Sequence, residues 1–104
     1  MKHDERLAND IRNALQSKRC NTNWTQFRSC QAYIGDMQVV TIGNEDYFVT
    51  PFRSYDTIVA YIDFDTKVLY EVGKYSQTTS KQVTQYFGQQ KQANERVFYK
   101  CRTN

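Results

Sequence analysis

The sequence predicts an α+β domain: two helices on one face of an antiparallel sheet of about five to six strands, in the order α-β-β-β-β-β-α-β. Three observations carry this. Apolar residues recur at helical spacing from Leu7 to Leu15. The stretch from Trp24 to Val72 alternates β-rich runs with short turn signals. A second helical pattern after Gly73 is followed by one last β-rich run. Strands joined by short turns pair antiparallel, and an amphipathic helix buries its apolar stripe against such a sheet.

The first helix is predicted over residues 4–18. Leu7, Ile11, Ala14 and Leu15 form one face, and Lys18 can lay its stem beside them. Asp4 and Glu5 at the start, with Lys18 and Arg19 at the end, suit the helix dipole. Asn21-Thr22-Asn23 then breaks the pattern as a polar loop. Phe27, Ala32, Ile34 and Met37 are apolar positions around a Gly35-Asp36 turn signal. Gln38–Ile42 and Tyr47–Thr50 read as a hairpin, connected by Gly43-Asn44-Glu45-Asp46 and ended by Pro51.

The run from Thr57 to Phe64 is the clearest strand. Its even positions Ile58, Ala60, Ile62 and Phe64 are all apolar and are expected to face the core. Asp65-Thr66 makes a turn, and the chain returns over residues 67–72 with Val68, Tyr70 and Val72 on one face. Thr79 as N-cap and Gln82 three residues on would form a capping box for the second helix. Val83, Tyr86, Phe87 and Gln90 share a face of that helix. Residues 96–101 form the final strand, with Val97, Tyr99 and Cys101 facing one way.

A chain of 104 residues without repeats or linkers suits one domain, 1–104. The net charge of +3 permits a polyanionic partner and disfavours a mimic of nucleic acid. No apolar run approaches the ~20 residues of a membrane-spanning helix, and no apolar segment follows Met1 as a secretion signal would require. Cys20, Cys30 and Cys101 make an odd count, which points to free thiols in a reducing, cytoplasmic setting.

The search for chemistry is negative. His3 is the single histidine and is expected in a frayed terminus, so a His-centred triad is disfavoured. The cysteines lack both C-x-x-C pairing and zinc spacing; Cys30 and Cys101 read as partly buried small apolar residues and Cys20 as lying near a helix end. Asp63 and Asp65, with Glu71 and Lys74 across the hairpin, offer the nearest thing to a metal-nuclease set, but a turn and a solvated face account for them. The four glycines do not cluster into a phosphate loop. No cofactor or metal is expected, and the chain is read as not an enzyme.

The run Ser54-Tyr55-Asp56-Thr57-Ile58-Val59-Ala60, the return Leu69-Tyr70, and the segment Lys74-Tyr75-Ser76-Gln77-Thr78-Thr79-Ser80-Lys81 resemble a pattern in small proteins of bacteriophages, plasmids and other mobile elements of Gram-positive bacteria. Trp24 and Phe27 are similar to the front end of that pattern, and the likeness covers about residues 24–87. The resemblance implies an accessory protein of a mobile element in the cytoplasm of a bacterial host. It transfers no activity.

Binding is therefore the expected role. Lys74, Tyr75, Thr78 and Lys81 lie on a hydroxyl-rich approach to a helix start, where backbone N–H groups and lysines can hold a phosphate. Capping alone accounts for most of the same residues. Arg28, Arg53 and Tyr55 form a second candidate set, joined by Arg96, Lys100 and Arg102 if the last strand lies nearby. Richness in Tyr, Phe and Arg is the chemistry of protein-binding hot spots. The expected partner is a host or phage protein that the chain modulates or inhibits, such as a defence nuclease. DNA or RNA is the alternative, and a homodimer through an edge strand is compatible with the sequence. An exposed aromatic patch with mixed charge would mark a protein binder, whereas one continuous positive face would mark a nucleic-acid binder.

Overall fold

The computed structural model describes residues 2–28, 31–73 and 77–99, with the backbone alone at 77 and 78. Helix α1 spans Glu5–Ser17, and the side chain of Asp4 caps it by accepting from the Leu7 N–H at 2.8 Å. Ala8, Ile11 and Leu15 are its buried stripe. A 3-10 turn, Arg19–Asn21, leads into the sheet.

Among the described residues seven strands form one sheet: β1 Trp24–Gln26, β2 Ala32–Gly35, β3 Gln38–Ile42, β4 Glu45–Ser54, β5 Thr57–Asp63, β6 Val68–Val72 and β7 Glu95–Tyr99. Helix α2, Gln77–Gln89, lies between β6 and β7. The spatial order is β1-β2-β4-β5-β6-β7, with β3 also on β4. The α+β class is that read from the sequence, and the order of elements is roughly so, with six strands instead of five between the two helices. The sheet is mixed, however, because β7 runs parallel to β6. A parallel return needs a crossover, and α2 supplies it.

Pro51 does not end a strand. It sits inside the ten-residue β4, opposite Tyr61. On its other side β4 pairs with β3 up to Val49 and with β2 from Phe52 onward. Proline, which cannot donate to a ladder, thus occupies the gap between two outer partners. The β3–β4 connection is also tighter than expected. Ile42 pairs with Glu45, leaving Gly43-Asn44 as the loop, with Gly43 at φ 63°.

The two helices cover opposite faces of the sheet, not one. Ala8, Ile11 and Leu15 of α1 pack with Val40, Val49, Ile58, Tyr61, Val68, Tyr70 and Val72. Val83 and Tyr86 of α2 pack with Phe27, Ala32, Phe52, Ala60, Ile62 and Leu69. Neighbouring residues such as Tyr61 and Ile62 thus enter different cores. Both faces of β5 and β6 are buried as a result, including Asp63 and Glu71. Phe64, expected in the core, is 54% exposed.

Thr79 and Gln82 lie within α2 rather than forming a box at its start. Both are buried, and both meet Ser54 of β4: the Ser54 hydroxyl donates to Gln82 Oε1 at 2.9 Å and lies 3.3 Å from Thr79 Oγ1. They fasten the helix to the sheet. Glu71 and Arg96 add a second anchor beneath α2, at 2.6 Å, and Arg96 also donates to Thr84 at 2.9 Å.

Gly35 closes β2 where no side chain fits. A β-carbon there would lie 2.8 Å from Pro51 Cγ and 3.0 Å from both Thr22 and Trp24. Gly35→Ala should therefore cost about 1–3 kcal/mol by overpacking, measurable as a lower urea midpoint with an unchanged slope.

Candidate functional site

Two places stand out, one buried and one exposed. The buried one is built around His3. Its side chain is 3% exposed, although it precedes α1 and was expected to fray. The ring enters the α1 face of the sheet and stacks on Tyr70 with centroids 4.4 Å apart, while Tyr47 meets it edge-on at 5.1 Å. Its Nε2 lies 2.6 Å from Asp63 Oδ2, and its Nδ1 lies 2.7 Å from the Tyr61 hydroxyl. The His3 N–H donates to the Tyr70 hydroxyl and the Tyr99 hydroxyl donates to the His3 carbonyl, each at 2.8 Å.

Asp63 is held as firmly. Its Oδ1 accepts from the backbone N–H of Asp65 at 2.8 Å and of Thr66 at 3.0 Å, which shapes the β5–β6 turn. Its Oδ2 is left for His3. Burial pushes the Tyr61 hydroxyl well above the usual phenol range and raises that of Tyr70, so both keep their protons. Tyr61 therefore donates to Nδ1, and a neutral imidazole donates from Nε2–H to Asp63. The sequence offers a signal for this site only in retrospect: Tyr47, Tyr61, Tyr70 and Tyr99 all need partners for their hydroxyls.

Burial lowers the proton affinity of His3 below the ordinary 6.5, with Asp63 partly offsetting the effect. A lowered native pKa means that the unfolded chain holds a proton which the folded chain refuses. Stability is then full above 6.5 and declines as the pH falls toward the native value. The groups facing the ring are Asp63, Tyr61, Tyr70, Tyr47 and Tyr99, with Asp4 beside it in sequence. Urea unfolding in steps from about pH 7 to 5 should show this decline, and it should flatten in His3→Gln.

The arrangement has the order of a hydroxyl–imidazole–carboxylate relay, yet Tyr61 is fully buried, so its hydroxyl meets no substrate in this state. Asp63 and Glu71 do not converge either, since they sit on opposite faces of the sheet. Asp65 is exposed. Among the described residues no group of His, Cys, Asp and Glu is placed to hold a metal ion.

The exposed place is on the other face, beyond the reach of α2. Val39 of β3 pairs directly with Phe48 of β4, and the Phe64 N–H donates to the Phe48 carbonyl at 2.9 Å. Val39 and Phe48 thus share a face by register, with Phe64 opposite Phe48 at the first residue beyond β5; the three are 42%, 41% and 54% exposed, and Met37 precedes β3 at 53%. Lys67 lies over the Phe64 ring at 5.6 Å, and Asp46 flanks Phe48 on the same face of β4. Met37 also lines a polar pocket of about 170 Å³ with Asn21, Thr22, Asn23, Asp36 and Gln38. None of these four apolar residues is singled out as a binding residue by the sequence, because Phe64 reads as a core position and Val39 and Phe48 only as members of a hairpin.

The residues expected to bind are dispersed. Arg53 is sandwiched between Trp24 at 4.6 Å and Tyr33 at 4.2 Å, and it donates to the Tyr55 carbonyl. Tyr55 stands at the β4–β5 turn with φ 54° and is 61% exposed. Arg28 is exposed and packs over Phe27 at 5.6 Å. Lys81 is exposed on α2. Arg96 belongs to β7, at the opposite edge of the sheet from the Arg53 cluster, and is paired with Glu71. Lys74, Tyr75, Lys100 and Arg102 lie outside the described residues, as do Cys30 and Cys101, and the Thr78 side chain is not described. Cys20 is a free, exposed thiol. Among the described residues no helix is long and apolar enough to cross a membrane.

The model of a family of unknown function, DUF8033, matches residues 15–102. No curated protein and no solved structure matches this chain.

Proposed function

The chain belongs to that family, DUF8033, and we propose that it is a non-enzymatic protein-binding module which engages its partner through the Val39–Phe48–Phe64 row. The observation that carries this reading is the row itself. Large side chains side by side on a sheet face, bordered by Asp46 and Lys67, combine an apolar centre with a charged rim. Isolated exposed apolar residues are ordinary, whereas a contiguous set marks an interaction surface. The partner we infer is a host protein whose activity the chain modulates or inhibits, a defence nuclease being one such target. That inference rests on the likeness of about residues 24–87 to proteins of mobile elements.

The cations support a protein partner over nucleic acid. Arg53 braces two aromatic rings, Arg96 neutralises a buried glutamate, and Lys81 and Arg28 stand elsewhere. A phosphate backbone would call for one continuous basic track. The cluster of Trp24, Tyr33, Arg53 and exposed Tyr55 favours a second reading, single-stranded nucleic acid on a stacking platform.

One experiment separates the two. Tagged wild type, Phe48→Asp/Phe64→Asp and Tyr55→Ala are recovered from host cells with and without nuclease. A stoichiometric protein that survives nuclease and binds the doubly substituted chain about 30-fold or more weakly is the expected result. Exposed substitutions should leave stability within about 0.5 kcal/mol, which thermal melting checks. Recovery of nucleic acid that is lost in Tyr55→Ala, with no such protein, would replace this reading with the second.

A further inference from the structure

The environment of His3 is more specific than an apolar side chain would need. The ring is held by one acceptor at Nε2, one donor at Nδ1, a stacked tyrosine and an edge-on tyrosine. Apart from its own chain links, these contacts come from β4, β5 and β6, so the sheet builds the chamber and the third residue only enters it. Asp63 is fixed for its task by two backbone N–H groups that do not involve His3. Tyr61 and Tyr70 are themselves packed in the α1 core.

We propose that this chamber is a recognition site for a neutral imidazole ring, which the chain fills with its own third residue as a tethered ligand. The ligand class follows from the pairing of groups. A neutral ring that gives its N–H to Asp63 presents a bare nitrogen to the Tyr61 hydroxyl, and it must be flat enough to stack on Tyr70. The neutral imidazole meets all three demands. The site is independent of the Val39–Phe48–Phe64 row, which lies on the other face of the sheet.

The test uses the full chain with His3→Ala, titrated at about pH 8 with free imidazole, which is neutral there. Imidazole should restore the thermal stability lost by the substitution, saturably. At about a hundred times its dissociation constant it should raise the folding equilibrium constant about a hundred-fold. 1-Methylimidazole retains a bare nitrogen but has no N–H for Asp63, so it should fail. Wild type, already filled, should not respond. If His3→Ala does not fold alone, folding driven by imidazole and followed by circular dichroism is the expected outcome. No response to imidazole, folded or unfolded, or an equal response to 1-methylimidazole, overturns the proposal. So does nitrogen NMR of the wild type at the same pH if it finds the proton on Nδ1 rather than Nε2.

Discussion

Asp63→Ala should lower the unfolding free energy by about 3–5 kcal/mol, the range for removing one partner of a buried polar pair. The carboxylate accepts from two backbone N–H groups of the β5–β6 turn and sits 2.6 Å from His3 Nε2. Alanine orphans all three at once, in a place where Asp63 is only 2% exposed. Asp63→Asn should cost less, about 1–2 kcal/mol. Its amide oxygen can still serve the turn, and the imidazole can change tautomer so that Nε2 accepts from the new NH₂ group while Nδ1–H donates to Tyr61. Urea denaturation of the two variants measures the difference. Equal losses would mean that the carboxylate opposite His3, and not the turn, accounts for the effect, because asparagine keeps the acceptor for the turn.

Phe52→Ala should cost about as much, 3–5 kcal/mol, through a cavity rather than lost polar contacts. Phe52 is fully buried, stacked on Tyr86 at 4.5 Å and edge-on to Phe27 at 5.8 Å. These rings join β4, α2 and the start of the β1–β2 hairpin into the second core. Tyr86 shows how dry this region is, since burial pushes its hydroxyl up to about 12. A domain of this size has about 5–15 kcal/mol in all, so the variant should melt far below wild type. Phe98→Ala, at a position 53% exposed, is the matched control and should change stability by less than about 0.5 kcal/mol.

The fold was legible where a local pattern has one physical cause. Helical spacing placed α1 over residues 4–18, and it spans Glu5–Ser17, because its stripe and its Asp4 cap both lie within the segment. The period-2 reading of residues 57–64 found β5 but misjudged its surroundings. Alternation tells which residues share a face, not how many faces are covered. Asp63 reads as part of a turn and a solvated face, and Tyr61 lies off the apolar even face, whereas together they form the floor of the histidine chamber. Phe64 looked like core because it continues Ile62 and Ala60, yet the sheet extends past α2 there and leaves it uncovered. The chamber itself could not be read from spacing at all. His3 is 58 residues from Tyr61 and 67 from Tyr70, and nothing local to the third residue announces a partner. Thr79 was misread for a related reason: a Ser/Thr near a helix start suits a cap, but Ser54 drew it inward.

The bond from Tyr99 to His3 joins residues 96 positions apart, and Lys2 pairs with Glu95 beside it. Closing so long a loop carries a large entropic cost before any contact is gained. The segments around His3 and Tyr99 are therefore expected to meet late, after the β4–β5–β6 meander has assembled from neighbours in sequence. Weakening the histidine contacts should consequently speed unfolding and leave the folding rate little changed, which stopped-flow measurement on His3→Gln checks. The third residue works as a clasp: it holds the fold shut without having directed how it was made.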